Sequence, residues 1–508
     1  MVGMSWLTKL VRAATAPRRR EIRRFMMHPI EVQQEQLYDL VGRAAETVFG
    51  KEQGFASIRT PEQFARQVPV TDYDAFCGYI ERVRQGEQQV VWPTPIRWFA
   101  KSSGTTSAKS KFIPVSEEGL RRCHMRGPKD IVALFSDLYP ESRVFSGKTL
   151  TLGGSHRLVR SDGVAQEGDL SAILIENTPC IASRFRVPKV ETALIPDFEQ
   201  KVDAICRETV SQRVTAFAGV PSWNLVMLKK VLEYTGKNNI LEVWPHMELF
   251  THGGMNFEPY REEYRRIFPS LQMKYMNTYN ASEGFFGIQN DPSADDMLLM
   301  LDYGVYYEFL PMKDLNDPSK CVPLEGVVRG ENYAMIITTC NGLWRYMIGD
   351  TVEFTSLAPY KIRITGRTRH FINAFGEEVI VDNADRALQA ACQATGAQIA
   401  DYTAGPIYMT EGRKGSHQWV IEFQVPPSDP ERFTDVLDRT LQQVNSDYEA
   451  KRFKDTTLLR PTVTLVPQGT FYAWMKRRGK IGGQNKVPRL SNDRTYIEQL
   501  LDQNERSV

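Results

Sequence analysis

The stretch "FAKSSGTTSAKSKFIP", residues 99–114, packs small hydroxyl residues around one glycine and follows them with Lys109 and Lys111. Successive backbone N–H groups and hydroxyls around a glycine can form a concave anion site, and a nearby lysine adds positive charge. The stretch therefore predicts a phosphate-binding loop, with a polar surface turn as the alternative. Its candidate ligands are Ser102, Ser103, Gly104, Thr105 and Thr106.

Several common enzyme motifs are absent from the sequence. The run "GKT" at 147–149 lacks the glycine that a Walker loop needs five residues ahead, because position 142 is Ser142. Neither H-E-x-x-H nor G-x-S-x-G occurs, and the seven histidines form no obvious ligand pair. A P-loop nucleotidase and a zinc protease are therefore disfavoured.

Composition narrows the protein class further. The chain has 508 residues, and its 63 basic and 61 acidic side chains leave a formal charge of only +2, which argues against a general nucleic-acid binder. Its seven cysteines are scattered and never spaced C-x-x-C, so a reducing cytoplasm is expected. No apolar run reaches the roughly 20 residues of a membrane span, and no secretory signal is recognised. We therefore expect a cytoplasmic protein without a membrane or nucleic-acid partner.

Strand-like and helix-like segments alternate along the chain, which predicts an α/β fold. Residues 31–50 have helical periodicity, "KTLTLGG" (148–154) and "AMIITTC" (334–340) are typical of strands, and "SWNLVMLKKVLEYTG" (222–236) is typical of a helix that Gly236 closes. After residue 366 a compact unit of strands and helices follows, with a strand at "SHQWVIEFQV" (416–425) and a helix that Asp429-Pro430 opens. We predict two domains, 1–366 and 367–508, with the boundary near Gly366.

Two further stretches combine polar and aromatic residues. In "NTYNASEGFFG" (277–287), aromatic side chains can stack on a flat ring while polar ones supply specificity; a turn between two core strands is the alternative. "GLWRYMIGD" (342–350) reads as an apolar strand with Asp350 just past it, where a carboxylate can accept both hydroxyls of a ribose or cap a turn.

Together these three stretches, in this order, resemble the nucleotide motifs of the auxin-responsive acyl acid amido synthetases, within the acyl-adenylate-forming superfamily. The likeness extends to "TVFGKEQGF", "VPVTDYDAFCGYIERV", "HGGMNFEPY" and "GKIGGQNKVPRL", covers nearly the whole chain and is most similar to the bacterial branch. It implies a large N-terminal domain of mixed sheets with a β-barrel-like part, and a smaller, mobile α+β C-terminal domain.

The resemblance also implies residue roles. Asp350 would bind the ribose, Glu283 would hold Mg²⁺ beside the phosphates, and Lys486 would be delivered to the site by the C-terminal domain through a hinge at Gly366 and Arg367. Arg345 would assist catalysis. Trp344 and Met347 replace the first tyrosine and the second arginine of the usual Tyr-Arg-Tyr-Arg motif, so Arg345 is the motif's only cation. The implied nucleotide-binding residues are Ser102, Ser103, Gly104, Thr105, Thr106, Gly254, Tyr279, Asn280, Ser282, Glu283 and Asp350.

These roles describe an ATP- and Mg²⁺-dependent enzyme that adenylates a carboxylic acid and transfers the acyl group to an amino acid. Such a reaction needs positioning and charge neutralisation from the protein. An acyl-CoA synthetase shares the first step, and a non-catalytic nucleotide-binding or scaffold protein is the alternative from another class. We expect a monomer or weak dimer. The sequence does not identify the acid, the amine or the pathway.

Overall fold

The computed structural model describes most of the chain. The residues described are 6–102, 111–153, 159–161, 165–254, 257, 260–368, 371–372, 374–375, 377, 379–408, 415–445, 448–449, 452, 458–478 and 487–505.

The strands among these residues lie in four sheets. In chain order they are β1 (Trp98–Ser102), β2 (Lys111–Val115), β3 (Lys148–Thr151), β4 (Val159–Ser161), β5 (Ala165–Gly168), β6 (Arg186–Val187), β7 (Val214–Gly219), β8 (Leu249–Gly253), β9 (Lys274–Ala281), β10 (Gly284–Ile288), β11 (Met297–Leu299), β12 (Val305–Pro311), β13 (Val322–Pro323), β14 (Asn332–Thr339), β15 (Tyr346–Leu357), β16 (Tyr360–Arg367), β17 (Phe371–Ile372), β18 (Val379–Ile380), β19 (Gln398–Ile407), β20 (Ser416–Val425) and β21 (Thr462–Val466).

The helices cover the sheets. They are α1 (Trp6–Ala14), α2 (Ala16–Met27), α3 (Pro29–Ala44), α4 (Val48–Glu52), α5 (Pro61–Gln67), α6 (Tyr73–Arg84), α7 (Glu117–Gly119), α8 (Arg126–Leu138), α9 (Leu170–Glu176), α10 (Cys180–Ser183), α11 (Val190–Ala193), α12 (Phe198–Thr209), α13 (Pro221–Thr235), α14 (Ile240–Val243), α15 (Arg261–Ile267), α16 (Val381–Thr395), α17 (Pro430–Val444), α18 (Thr470–Arg477) and α19 (Thr495–Glu505), with a π-helical turn over Leu120–His124.

The largest sheet has twelve strands in the order β13-β12-β14-β15-β16-β11-β10-β9-β8-β7-β3-β6. Pairing is antiparallel from β13 to β9 and parallel from β9 to β6. The sheet therefore changes character at β9, and the predicted α/β class is confirmed. The expected β-barrel-like part is wrong for the described residues, because the first and last strands of this sheet do not pair and it stays open.

Each part of this sheet has its own apolar core. The parallel strands pack against α12 to α15 through a column of aromatic rings, in which Phe217 and Phe250 stack with their ring centroids 4.1 Å apart. The antiparallel strands pack against α3, whose Leu37 and Leu40 are fully buried. Burial of such side chains supplies most of the driving force for the fold.

A smaller unit follows the large sheet. In it β19 pairs antiparallel with β20, β20 pairs parallel with β21, and α16 and α17 pack together around a separate core. The strand expected over 416–425 and the helix opened by Asp429 are confirmed. Gly366 and Arg367 are the last two residues of β16, so the expected boundary falls where the large sheet ends. The division into two domains stays a prediction.

Most other local predictions are confirmed, with one exception. Strands β3 and β14 and helix α13, which Gly236 closes in a left-handed conformation, lie where the sequence places them. The single helix expected over 31–50 is instead two, because Thr47 accepts a hydrogen bond from the Gly50 N–H at 3.0 Å and starts α4 anew. None of the helices among the described residues is long and apolar enough to cross a membrane.

Candidate active site

The candidate site lies where the large sheet changes from parallel to antiparallel pairing. Strands β7, β8 and β9 run parallel, so their carboxyl ends meet at one edge. In open α/β sheets, ligands bind outside the carboxyl ends of the parallel strands, which is this edge. Strand β9 ends there and turns back into β10, and the turn holds Ser282 and Glu283.

The turn between β9 and β10 confirms the structural alternative for the second motif, and it also buries polar groups. Ser282 and Glu283 are 2% and 6% exposed, and Asn341 donates from Nδ2 to the Glu283 carbonyl at 3.4 Å. Phe285 and Phe286 pack in the core, where Phe286 meets Tyr279 edge-on. The expectation that these two phenylalanines stack on a ligand ring is therefore wrong, since hydrophobic burial takes both side chains away from the site.

Burial raises the pKa of the Glu283 carboxyl to about 7. That value includes the neighbouring charge of Asp350, which also raises the pKa, and the charges of Arg367 and Lys111, which lower it by less. A buried acid beside a second carboxylate favours a group that brings positive charge. Glu283 therefore suits a cation-binding role.

Asp350 lies inside a strand rather than just past one, so that expectation is wrong. Strand β15 continues to Leu357, and its pairing with β14 shifts register between Met347 and Thr351. Gly349, with φ of +89°, provides the left-handed backbone that this bulge requires. The bulge leaves Asp350 opposite Arg367 on the other neighbouring strand, β16.

The carboxylate of Asp350 contacts side chains from the second motif and from the predicted hinge. Tyr279 donates from Oη to Asp350 Oδ2 at 2.7 Å, and Arg367 Nε lies 2.9 Å from Oδ1. Each carboxylate oxygen can accept more than one hydrogen bond, so hydroxyls of a ligand can still bind there. The second motif, the third motif and the predicted hinge residue thus meet at one carboxylate.

Arg345 has a different environment from the one expected of a catalytic cation. It is 4% exposed, donates from Nε and Nη2 to both oxygens of Glu308 at 2.8 Å, and donates from Nη1 to the carbonyls of Ala65 and Val68 at 2.7 Å. The side chain therefore fixes the chain after α5 against the sheet. All three guanidinium nitrogens therefore have core partners, and the catalytic role predicted for Arg345 stays a prediction.

Trp344 and Met347, the two departures from the usual motif, also lie in the core. The indole of Trp344 is fully buried, donates to the Val91 carbonyl at 3.1 Å and packs on Phe55. Met347 packs beside Ile336. These substitutions therefore change core packing and leave Asp350 in place.

The described residues place the ends of the hydroxyl-rich stretch near Glu283. Ser102 and Lys111 pair across β1 and β2, and the charge of Lys111 acts on Glu283. Ser103, Gly104, Thr105 and Thr106 lie outside the described residues, as do Lys109 and Lys486. Their predicted roles therefore stay predictions.

Three polar atoms near Glu283 are buried without a hydrogen-bond partner among the described residues: Asn280 Oδ1, Ser282 Oγ and Tyr346 Oη. The charge of Glu283 also raises the pKa of Tyr346 after burial does. Buried polar groups are nearly always paired, and exceptions are typical of binding sites. Asn280 and Ser282 were predicted from the sequence.

Gly254 follows β8 at the same edge, with φ of +83°. A side chain would be strained there, and a Cβ on the preceding Gly253 would lie 2.3 Å from the Thr278 carbonyl oxygen. The two glycines therefore let the backbone pass close to β9.

One acidic residue at this edge, Glu283, suits the predicted Mg²⁺ site. No cluster of three or more acidic, histidine or cysteine side chains that could hold a metal occurs among the described residues. Mg²⁺ commonly uses one or two carboxylates together with phosphate oxygens and water. Glu283 fits that pattern, with the remaining ligands supplied by a nucleotide.

Sequence reasoning missed two residues of this site. Arg367 was expected only as a hinge, but its side chain pairs with Asp350. Tyr346 was passed over as part of an apolar run. The bulge at Gly349 interrupts the alternation between Tyr346 and Asp350, so spacing does not indicate Tyr346, and nothing in the sequence indicates the partner of Arg367.

Family models match three parts of the chain. The GH3 family N-terminal domain matches residues 18–273, the GH3 family central domain matches 298–367, and the GH3 family C-terminal domain matches 382–495. The first of these covers half of the chain by itself. The central domain contains β15 and β16, which carry Asp350 and Arg367.

Individual proteins resemble the chain along most of its length. It is 23% identical to indole-3-acetic acid-amido synthetase GH3.3 of Arabidopsis thaliana, over 93% of this chain and 91% of that protein. It is also 23% identical to jasmonoyl-L-amino acid synthetase JAR6 of Nicotiana attenuata, over 93% of both. The solved structure of GH3.15 acyl acid amido synthetase matches with a TM-score of 0.77 at 18% identity, covering 93% of both chains.

Proposed function

Because the chain belongs to the GH3 family, we propose that it is an ATP-dependent acyl acid amido synthetase. Its relatives include amido synthetases for indole-3-acetic acid and for jasmonoyl conjugates, so the family relation supports an enzyme that joins a carboxylic acid to an amino acid. Its assignment to a bacterial branch, its cytoplasmic location and its oligomeric state stay predictions.

The observation that carries the proposal is that Tyr279, Glu283 and Asp350 lie together at the carboxyl edge of the parallel strands. A carboxylate that accepts from a tyrosine and an arginine, and still has free lone pairs, suits the two hydroxyls of a ribose. A buried acid next to it suits Mg²⁺ on the phosphates. A ribose acceptor next to an acid that suits Mg²⁺ favours a nucleoside triphosphate over a neutral ligand.

The proposed reaction has two steps. The substrate carboxylate attacks the α-phosphorus of ATP, the bond from that phosphorus to the bridging oxygen breaks, and pyrophosphate leaves. The amine of an amino acid then attacks the acyl carbon of the acyl-adenylate, AMP leaves, and a proton is released as the amide forms. Mg²⁺ would neutralise phosphate charge, and the protein supplies positioning and electrostatic stabilisation.

We assign the chain's residues to these steps as follows. Asp350 binds the ribose hydroxyls, and Tyr279 and Arg367 orient its carboxylate. Glu283 binds Mg²⁺, and the polar atoms of Asn280 and Ser282 face the nucleotide. By resemblance, the loop from Ser102 to Thr106 holds phosphates, and Lys486 stabilises charge on the α-phosphate.

A screen for acid-dependent pyrophosphate release tests this function. Purified protein is given ATP, Mg²⁺ and a panel of aryl, indolyl and fatty carboxylic acids, and active acids are then offered amino acids or coenzyme A separately. We expect mass spectrometry to find an acyl–amino acid amide. A thioester product instead would identify an acyl-CoA synthetase, and no acid-dependent pyrophosphate release would reject the adenylation step.

A matched pair of variants ties this activity to the site. Asp350→Ala removes the proposed ribose acceptor, whereas Asp296→Ala removes a similarly buried aspartate that pairs with Lys361 at 3.1 Å, beside β11. We expect only the first to lose pyrophosphate release. Equal losses would mean that both changes act through the fold.

A further inference from the structure

Away from the connection between β16 and α16, the polar contacts between the smaller unit and the rest of the described chain include two at separate points. At the first, Arg489 donates from Nη2 to Tyr260 Oη at 3.4 Å. Arg489 also pairs with Asp401 and lies over the ring of Tyr402 at 4.6 Å, both within the smaller unit. One partly buried guanidinium thus links the two units.

At this first contact, burial and neighbouring charges shift the pKa values of Arg489 and Tyr260. Burial acts to lower the pKa of Arg489, but neighbouring groups, chiefly the carboxylate of Asp401, raise it above its ordinary value. Tyr260 is 4% exposed, and burial raises the pKa of its hydroxyl. The tyrosine hydroxyl is therefore a neutral partner held against a permanent cation.

The second contact lies on the surface. Lys476, on α18, is 2.7 Å from Glu199 Oε1, and Tyr472 donates from its hydroxyl to the same oxygen at 3.4 Å. The ring of Tyr472 also packs against the core of the parallel strands. Lys476 and Glu199 are more than half exposed, so this contact is the weaker of the two.

Both contacts reach the same edge of the large sheet. Tyr260 precedes α15, which leads from the carboxyl end of β8 back to the start of β9. Glu199 is in the first turn of α12, which ends just before β7 begins. A helix that returns the chain to the start of a parallel strand begins at the carboxyl edge. Glu283 lies at that edge.

In the sequence, Lys476 and Arg489 lie on either side of residues 479–486, which are outside the described residues and include Lys486. We propose that Tyr260 and Glu199 are positioning residues, which hold the smaller unit in the orientation that the adenylation step uses. This inference rests on the proposed function. It predicts that loosening either contact slows acyl-adenylate formation and spares amide formation from a supplied acyl-adenylate.

The two half-reactions provide the test. Tyr260→Phe removes one hydroxyl and keeps the buried ring. We expect acid-dependent ATP–pyrophosphate exchange to fall about tenfold to a hundredfold, the range for losing one hydrogen bond to a charged group. Amide formation can be measured separately by supplying chemically prepared acyl-adenylate and amino acid, which bypasses the first step. Its rate should change less than about twofold, because only interactions used in a step affect the rate of that step.

Tyr264→Phe is the matched control. Tyr264 lies on α15, is buried, and donates its hydroxyl to the Pro221 carbonyl at 2.7 Å within the large unit. We expect this variant to lose thermal stability without separating the two half-reactions. Equal effects of Tyr260→Phe on both half-reactions, or no effect on either, would overturn the inference.

A charge exchange tests the second contact. Glu199→Lys and Lys476→Glu should each lower pyrophosphate exchange, and the combined variant should recover it, because the ion pair is restored with its charges reversed. Additive losses in the combined variant would remove Glu199 from the proposal.

A distance measurement keeps this inference separate from the proposed function. Spin labels are attached at Tyr234→Cys on α13 and Leu465→Cys on β21, both exposed, after the exposed Cys77 and Cys180 are replaced by serine. We expect a broader distance distribution in Tyr260→Phe than in Tyr264→Phe. Matching distributions overturn the inference even if the enzyme is active, and a difference supports the contact even if no acid is adenylated.

Discussion

Two arginine–carboxylate pairs lie close together in the chain and have opposite surroundings. Arg345 and Glu308 are 5% and 4% exposed in their side chains, whereas Arg367 and Asp350 are 36% and 18% exposed. Arg345 and Asp350 come from one nine-residue motif. The same residue types therefore serve the core at one position and the site edge at the other, and burial decides which.

The buried pair also carries backbone strain that the outer pair does not. Arg345 has φ of +39°, which L residues rarely adopt, and its carbonyl accepts from the Thr71 N–H at 3.0 Å. Such strain persists only where surrounding contacts hold it. The bidentate pair with Glu308 and the two carbonyls on Nη1 provide those contacts.

The largest expected effect comes from breaking the buried pair. Arg345→Met leaves Glu308 buried without its partner, which should lower the free energy of unfolding by about 3–5 kcal/mol. Chemical denaturation measures this loss. The double variant Arg345→Met with Glu308→Leu should recover much of it, and a loss below about 1 kcal/mol in the single variant would contradict the structural role.

Glu283 should give an effect of intermediate size. It is buried, and the nearby cations Arg367 and Lys111 do not cancel the rise in its pKa that burial causes. Unfolded, its pKa is near the ordinary 4.5, and folded it is about 7. The unfolded chain therefore loses this proton first, and stability falls as pH rises from about 4.5 to 7, by about 3 kcal/mol in total. Without nucleotide or Mg²⁺, Glu283→Gln should lack this decline.

Denaturation of both proteins at several pH values measures the difference. The stability advantage of Glu283→Gln over the wild type should grow up to pH 7 and then level off. A difference that does not change with pH would mean that Glu283 is ionised in the folded protein.

The fold was largely predictable because local patterns carry it. The strand at 416–425 and the helix closed by Gly236 lie where their residue patterns place them. The helix break at Thr47 was missed because a hydroxyl cap outweighed continued periodicity. The open twelve-stranded sheet was not predicted, since strand order depends on contacts between residues far apart in sequence.

The candidate site was predictable at the level of motifs but not of individual side chains. Glu283 and Asp350 were identified, and the structure brings them together. The core partner of Arg345 was missed, because a charged residue within an apolar run gives no indication of Glu308, 37 residues earlier. Pairing across strands, which assigns Arg367 to Asp350, is likewise not readable from spacing alone.

The smallest expected effect comes from breaking the outer pair. Arg367→Gln should lower the free energy of unfolding by less than about 1 kcal/mol, because a partly exposed pair is screened by water. The same denaturation assay measures it beside Arg345→Met. Losses of similar size in the two variants would remove the contrast between the pairs.

The ribose hydroxyls test the central claim, that Asp350 belongs to a nucleotide site, most directly. Titration calorimetry compares ATP with 2′-deoxy-ATP in the wild type, in Asp350→Ala and in the Asp296→Ala control. The wild type and the control should prefer ATP by about tenfold or more, the value of one hydrogen bond to a charged acceptor, and Asp350→Ala should bind both nucleotides alike. A wild-type preference that survives in Asp350→Ala would contradict the account.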